Sequence, residues 1–359
     1  MEDLFLDANA HLPLNQKAAQ AFIEFNNSIG GHGNAMAASV TGRAAANSIE
    51  NSRKKIAELI GAKSADQIIF TSTCTQACEW GLEILKAQNF PMTWCSQIEH
   101  PAVGKKVAKI FNSNDLFTSK NGIAGCTFEP DEGSAFICIH VQNEVGTIQP
   151  IEDIKVPFFC DMSQSLGRLP LNVSKIPNLK IATFAAHKFG GPVGVSFMYI
   201  QNPDWWIPFG TGSRYHRDRA GTPDPGMIVA TAVALEEALS TLDRRYSNAI
   251  AFSTEIEHVI KELGFTVIGD GAKRLPHITF FQIGKKMGPY VVNQFEAERI
   301  HIGKGSACGS LTSNSSPVMA ALGSGGSASD FIRISQWGNY SEKEALRFIK
   351  TLKKYCPNH

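Results

Sequence analysis

The chain has 359 residues, 43% of them hydrophobic, and a formal net charge of +1. That length suits one large α/β domain with a smaller companion, and so balanced a charge sets up no field that would favour nucleic acid or an anionic membrane surface. The acidic start Met1-Glu2-Asp3-Leu4 carries no basic or apolar targeting segment, and no apolar run approaches membrane-spanning length. The eight cysteines show no paired zinc spacing, and Cys74-x-x-x-Cys78 has no second pair or histidine cluster beside it, so a reduced, cytoplasmic protein without a metal is expected.

Taken in order, Phe5 to Ala10 reads as a short extended opening, and Asn15 to Asn26 has helical apolar spacing. Ile29 to Thr41 is rich in Gly, Ala and Asn and reads as loop. Gly42 to Ile60 is an amphipathic helix with Ala45, Ile49, Ile56 and Leu59 on one face, ended by Gly61. Gln67 to Thr71 is a strand that feeds Ser72-Thr73-Cys74-Thr75-Gln76 into a helix over 77–85. Small hydroxylated residues at a helix start are either ordinary caps or a phosphate site, since free amides and the helix dipole both favour an anion.

Trp94 to Ile98 is the next strand, and Pro101 fits the first turn of the helix that follows. His100 therefore projects from a strand end, where α/β sheets bind ligands, although a lone histidine there can equally be structural. Phe136 to Val141 is a buried strand ending in Gln142-Asn143-Glu144, and Pro157 to Cys160 is another, closing on Asp161. Two apolar runs, Ile181 to Phe184 and Val195 to Ile200, flank Ala185-Ala186-His187-Lys188-Phe189-Gly190-Gly191-Pro192. Lys188 thus sits in a turn too Gly-rich to be a helix. It is either a surface lysine in a hairpin or a desolvated amine whose neutral form is a nucleophile toward carbonyls.

Val229 to Leu242 is a long helix expected to leave the large domain, and Ile250 to Leu263 opens a smaller α+β unit with strands at Pro276 to Gln282 and Phe331 to Ser335. Arg333, central in the latter strand among apolar residues, needs an anionic partner from the protein or from a substrate carboxylate. Residues 303–329 hold 6 Gly and 8 Ser, so a mobile loop is expected there, with Cys308 in it. A helix from Ser341 to Tyr355 ends the reading, with Glu344 as the box partner of Ser341.

Polar residues after the strands ending near 71, 98, 141 and 160, together with Lys188, predict one pocket at the carboxyl edge of a mostly parallel sheet. A lysine for an aldehyde, an aspartate for a ring nitrogen, a histidine for stacking and a phosphate cradle together suit pyridoxal 5′-phosphate (PLP).

Five motifs in order carry a family resemblance: Ile98-Glu99-His100-Pro101-Ala102-Val103, Asn143-Glu144-Val145-Gly146-Thr147-Ile148-Gln149-Pro150, Ala186-His187-Lys188-Phe189-Gly190-Gly191-Pro192, Arg219-Ala220-Gly221-Thr222 and Gly305-Ser306-Ala307-Cys308. The chain resembles the fold-type I, class V PLP enzymes, and among them the cysteine desulfurases of iron–sulfur cluster assembly, from about Leu6 to Glu344. The resemblance implies a large PLP-binding domain over 14–240, with a mostly parallel central sheet flanked by helices. It implies a small α+β domain from 1–13 and 241–359 that carries the cysteine loop.

It further implies that Lys188 is joined covalently to the cofactor, His100 stacks on its ring and Asp161 pairs with the ring nitrogen. Gln164 and Asn143 would lie near the phenolic oxygen and the substrate. Thr75, the amides of Thr73 and Cys74, and His187 would hold the phosphate, with Thr222 added from the second subunit of a homodimer. Arg333 would bind the substrate carboxylate, and Cys308 would accept sulfur from L-cysteine as a persulfide and pass it to an acceptor or scaffold protein, leaving L-alanine. Other class V reactions (a selenocysteine lyase, a thiol amino acid lyase, an aminotransferase) or a degenerate binding partner are the alternatives. The sequence departs from the family pattern at Ala185, where a phosphate-binding Ser is usual. It departs again at Thr73-Cys74 in place of Gly-Ala, at Gln76 in place of Glu, and at Met162-Ser163 in place of a small-residue pair after the aspartate.

Overall fold

A computed structural model describes residues 2–112, 114–116, 122–124, 133–209, 212–304, 317–323 and 327–356. The chain opens with strand β1 (Leu4–Leu6) and helices α1 (Gln16–Asn26) and α2 (Val40–Ile60). It continues through β2 (Ile68–Thr71), α3 (Cys74–Ala87), β3 (Met92–Ser96), α4 (Pro101–Ile110), β4 (Asn114–Leu116), β5 (Ser134–Ile139), β6 (Phe158–Asp161), β7 (Leu179–Phe184) and β8 (Ser196–Ile200). Then come α5 (Pro225–Ser240), α6 (Leu242–Glu262), β9 (Thr266–Val267), β10 (Ile278–Gln282), α7 (Gly288–Ala297), β11 (Ile300–Lys304), α8 (Pro317–Ala321), β12 (Phe331–Ser335) and α9 (Glu342–Tyr355).

Seven strands form one sheet in the order β2-β8-β7-β6-β5-β3-β4. Within it β3, β4, β5, β6 and β7 pair in parallel, and β8 runs antiparallel to both β7 and β2. The carboxyl ends of β2, β3, β5, β6 and β7 therefore share one edge. Strand side chains alternate between faces, and both faces are buried. Phe70, Phe136, Phe158, Ala182 and Phe197 enter a core shared with α1, α2 and α5. Their neighbours Ile69, Ile137, Phe159, Ile181 and Met198 enter a second core with α3 and α4. Continuous apolar strands are what a sheet covered on both sides requires.

A second sheet of five strands, in the order β1-β11-β12-β10-β9, has its own core under α6, α7 and α9. The opening segment joins it through the parallel pairing of β1 with β11. No single helix among the described residues is long and apolar enough to cross a membrane.

Three expectations change. The helix expected over 229–242 spans Pro225–Ser240 and stays with the large sheet, because Ile228, Ala230, Ala234, Leu235 and Ala238 complete its core. The direction changes only after it, at the 62° bend into α6. Lys188 closes a single 3₁₀ turn, Ala186–Lys188, and the glycines that argued against a helix follow that turn. Part of the Gly/Ser stretch at 303–329 is regular: Gly303 and Lys304 end β11, and 317–321 is helical. Cys308 lies outside the described residues. Helix α7 and strands β9 and β11 had no strong periodic signal, and their placement depends on the second sheet.

Candidate active site

The shared carboxyl edge opens into a crevice of about 480 Å³. Helix α3 brings its first turn to one wall. Thr73 caps it, its hydroxyl accepting from the Gln76 amide at 3.1 Å, and the helix begins three residues earlier than its apolar periodicity indicates. Both meanings of the Ser/Thr run therefore coexist. The cap satisfies Gln76, while the amides of Cys74 and Thr75 have no partner among the described residues and add to the positive end of the helix dipole. Ala185 contributes only a buried methyl to this part of the wall.

His100 ends the β3 connection and caps α4, its Nδ1 accepting from the Ala102 amide at 3.1 Å. That bond leaves the proton of a neutral ring on Nε2. Burial lowers the His100 pKa; nearby Asp161 opposes the shift and Lys188 adds to it. Asp161 is the last residue of β6. Its Oδ1 accepts from the Ser163 amide at 2.9 Å and the Ser163 hydroxyl at 2.6 Å, and no described residue takes Oδ2. Lys188 comes off the end of β7 into the same crevice. Desolvation pushes its pKa down; Asp161 and Cys74 partly restore it, and the Arg168 and Arg333 cations lower it further. The lysine is half-buried in the crevice wall, and desolvation disfavours its charged form. His187, beside it, stacks with His11 at 6.0 Å and is pushed down to about 4 by burial, then by the Lys188 and His11 charges.

Arg333 reaches in from β12, in the second sheet. Its Nη2 pairs with Asp7 Oδ1 at 2.7 Å and its Nη1 donates to the Asn143 carbonyl at 3.3 Å. Its Nε is buried without a partner. Opposite it in the ladder stands Gly303, where a Cβ would lie 2.8 Å from Asp7 Oδ1. The arginine thus has the protein partner that the sequence left open, Asp7, and also lines the crevice.

The structure brings together Thr73, Cys74, Thr75, His100, Asn143, Asp161, His187, Lys188 and Arg333 around this one space. Gln164 stands apart: it is 2% exposed and behind the wall, its Oε1 accepting from Arg168 at 2.8 Å and its Nε2 donating to the Asn9 carbonyl at 3.4 Å. Thr222 is exposed in a loop away from the crevice of its own chain. Sequence reasoning missed Asn9, Asp7, Ser163 and Glu99. Asn9 lines the crevice and holds the Asn143 carbonyl from Nδ2 at 2.9 Å. Glu99 is buried, its Oε1 accepting from Ser96 Oγ at 2.7 Å and the Ile139 amide at 2.6 Å, and burial lifts its pKa to about 8. Among the described residues no cluster of three His, Cys, Asp or Glu could hold a metal ion.

A family model for the class-V aminotransferases matches residues 4–110 and 131–348. The chain belongs to that family. Its relatives include the cysteine desulfurase IscS of Dictyoglomus turgidum, 29% identical over 89% of this chain and 86% of the relative. The cysteine desulfurase NifS of Azotobacter vinelandii is 26% identical over 90% of this chain and 84% of its own length. A solved NifS-like protein superposes with a TM-score of 0.86 at 25% identity, covering 98% of each chain. This is a PLP-dependent family, and the crevice of this class-V member fits that group. Free amides at a helix N-terminus and the Thr73 and Thr75 hydroxyls suit a phosphate, Oδ2 of Asp161 suits a protonated ring nitrogen, and Lys188 suits an aldehyde.

Proposed function

We propose that the chain is a PLP-dependent cysteine desulfurase that converts L-cysteine to L-alanine and takes the sulfur as a persulfide on Cys308. The observation that carries the reading is the convergence of Lys188, His100, Asp161 and Arg333 on one crevice from four separate strands, with the lysine's charge disfavoured by burial. Thr73, Cys74, Thr75 and His187 would hold the phosphate, His100 would cover the ring and Asp161 would face its nitrogen. When bound there, PLP supplies a carbonyl for the substrate amine and an electron sink for charge developing at Cα.

The chain's own residues do the rest. Arg333, which lines the crevice, orients the substrate carboxylate through its guanidinium, as a charge-assisted hydrogen bond. Lys188, as the neutral amine, takes the proton from Cα. His100 keeps a proton on Nε2 because Nδ1 is engaged by the α4 amide, so it can exchange that proton with the substrate sulfur. The Cys308 thiolate attacks that sulfur. The Cβ–S bond breaks, the bonding electrons stay with carbon as a proton arrives, and the S–S bond forms, so that one cysteine and one thiol give one alanine and one persulfide. The persulfide is then passed to an acceptor protein.

Two further readings belong to this proposal. Thr222 follows a loop pinned by the buried Asp218–Arg53 pair, with Arg53 Nη2 and Asp218 Oδ2 at 2.6 Å, and its exposure supports a role in the site of a second copy in a homodimer. The buried Cys78 and Cys356, neither of them in a disulfide, support a reducing, cytoplasmic setting. The deciding experiment quantifies alanine and sulfide from L-cysteine with a reductant, and the persulfide on Cys308 by mass spectrometry. Cys308→Ala should release no alanine above background. Full release by that variant would overturn the assignment.

A further inference from the structure

Two departures from the family pattern lie 89 residues apart in sequence and touch in space. Cys74 stands in the first turn of α3, and its Sγ is 3.0 Å from the hydroxyl of Ser163. The Ser163 hydroxyl is 2.6 Å from Asp161 Oδ1 and donates to it, since a carboxylate can only accept. The hydroxyl has one proton, so the contact to Cys74 runs the other way: the thiol donates to Ser163 Oγ. The Ser163 amide adds a second donor to the same carboxylate oxygen at 2.9 Å. Both donors act on Oδ1, and Oδ2 is left to the crevice. The chain Cys74–Ser163–Asp161 thus ties the helix start that would hold the phosphate to the carboxylate that would face the ring nitrogen.

We propose that Ser163 is a positioning residue that fixes the rotation of the Asp161 carboxylate so that Oδ2 faces the cofactor ring nitrogen, and that Cys74 fixes Ser163. This rests on the PLP reading above. Cys78, one helical turn on and buried, has its Sγ 3.4 Å from Thr183 Oγ1, and neighbouring Cys74 together with burial raises its pKa well above the ordinary thiol value. Cys78 therefore remains a neutral packing partner and no nucleophile.

The test uses apoprotein reloaded with ring-¹⁵N-labelled PLP, with two readouts: the dissociation constant from fluorescence titration and the ¹⁵N shift of the bound ring. Ser163→Ala should weaken PLP binding about three- to tenfold, part of the value of a hydrogen bond to a charged group. It should also move the ring nitrogen signal toward the unprotonated value. Cys74→Ala should act in the same direction and more weakly, Cys74→Ser should restore both readouts, and the double alanine variant should be no worse than Ser163→Ala alone. An additive double variant, an unmoved nitrogen signal or a shift toward the protonated value would overturn the proposal. The nitrogen signal comes only from molecules holding the cofactor, so a misfolded fraction does not enter it. Wild-type protein that binds no PLP would instead remove the functional reading itself.

Discussion

Replacing Glu99 by glutamine should make the protein more stable at slightly alkaline pH, although it removes an ionisable residue from a family motif. The pKa of this carboxyl is lifted from 4.5 to about 8, chiefly by burial and with help from nearby Asp161, against the bonds from Ser96 Oγ and the Ile139 amide that pull it down. Its Oε2 is buried with no partner. A folded-state value above the unfolded one means that the native protein binds more protons between pH 4.5 and about 8, so its stability falls as pH rises through that window. At about 1.4 kcal/mol per unit, a shift from 4.5 to about 8 sets a ceiling of about 5 kcal/mol. Glutamine is the neutral isostere. Its amide oxygen keeps both bonds and it has nothing to ionise. In urea unfolding, Glu99→Gln and wild type should match near the acid end of the window. The variant should gain a few kcal/mol by its alkaline end, with the difference curve centred between the two pKa values. Other titrating groups cancel in that difference. A flat difference across the window would show Glu99 ionised at its ordinary pKa and refute the reasoning. The infrared band of a protonated carboxyl, absent in the variant, gives a second check.

The remaining predictions concern the crevice and its supports. Lys188→Ala should bind cofactor without a borohydride-trappable bond to the chain and should lose turnover by several orders of magnitude; a trapped adduct in that variant would remove the covalent lysine. Arg333→Gln should raise KM for L-cysteine about 10- to 100-fold with a smaller change in kcat, because a charge-assisted bond to the substrate carboxylate is lost; an unchanged KM would return Arg333 to a purely structural role with Asp7. Arg53→Met should cost about 3–5 kcal/mol in urea unfolding by leaving the Asp218 carboxylate buried and unpaired, and Arg53→Met with Asp218→Leu should recover most of it.

How much of this was legible in advance follows from the range of each interaction. Apolar runs bounded by turn residues placed β2, β3, β5, β6, β7 and β8 to within a few residues, because burial on both faces demands continuous hydrophobic strands. The amphipathic face of α2 and its left-handed Gly61 cap, at φ 73°, were equally local signals. The motifs then named His100 and Lys188, the end of a buried strand named Asp161 and a lone charge in an apolar strand named Arg333, and the crevice holds all four.

The sequence alone therefore determined the fold class, the strand-end residues and the chemistry they suit, because each is written in periodicity or in a contiguous motif. Tertiary structure decided the rest: that Asp7 answers Arg333, that burial raises the Glu99 pKa, that Gln164 stands behind the wall, and that Cys74 meets Ser163. Each of those is a side-chain contact or a desolvation between segments far apart in the chain, and such contacts leave no period and no spacing to read.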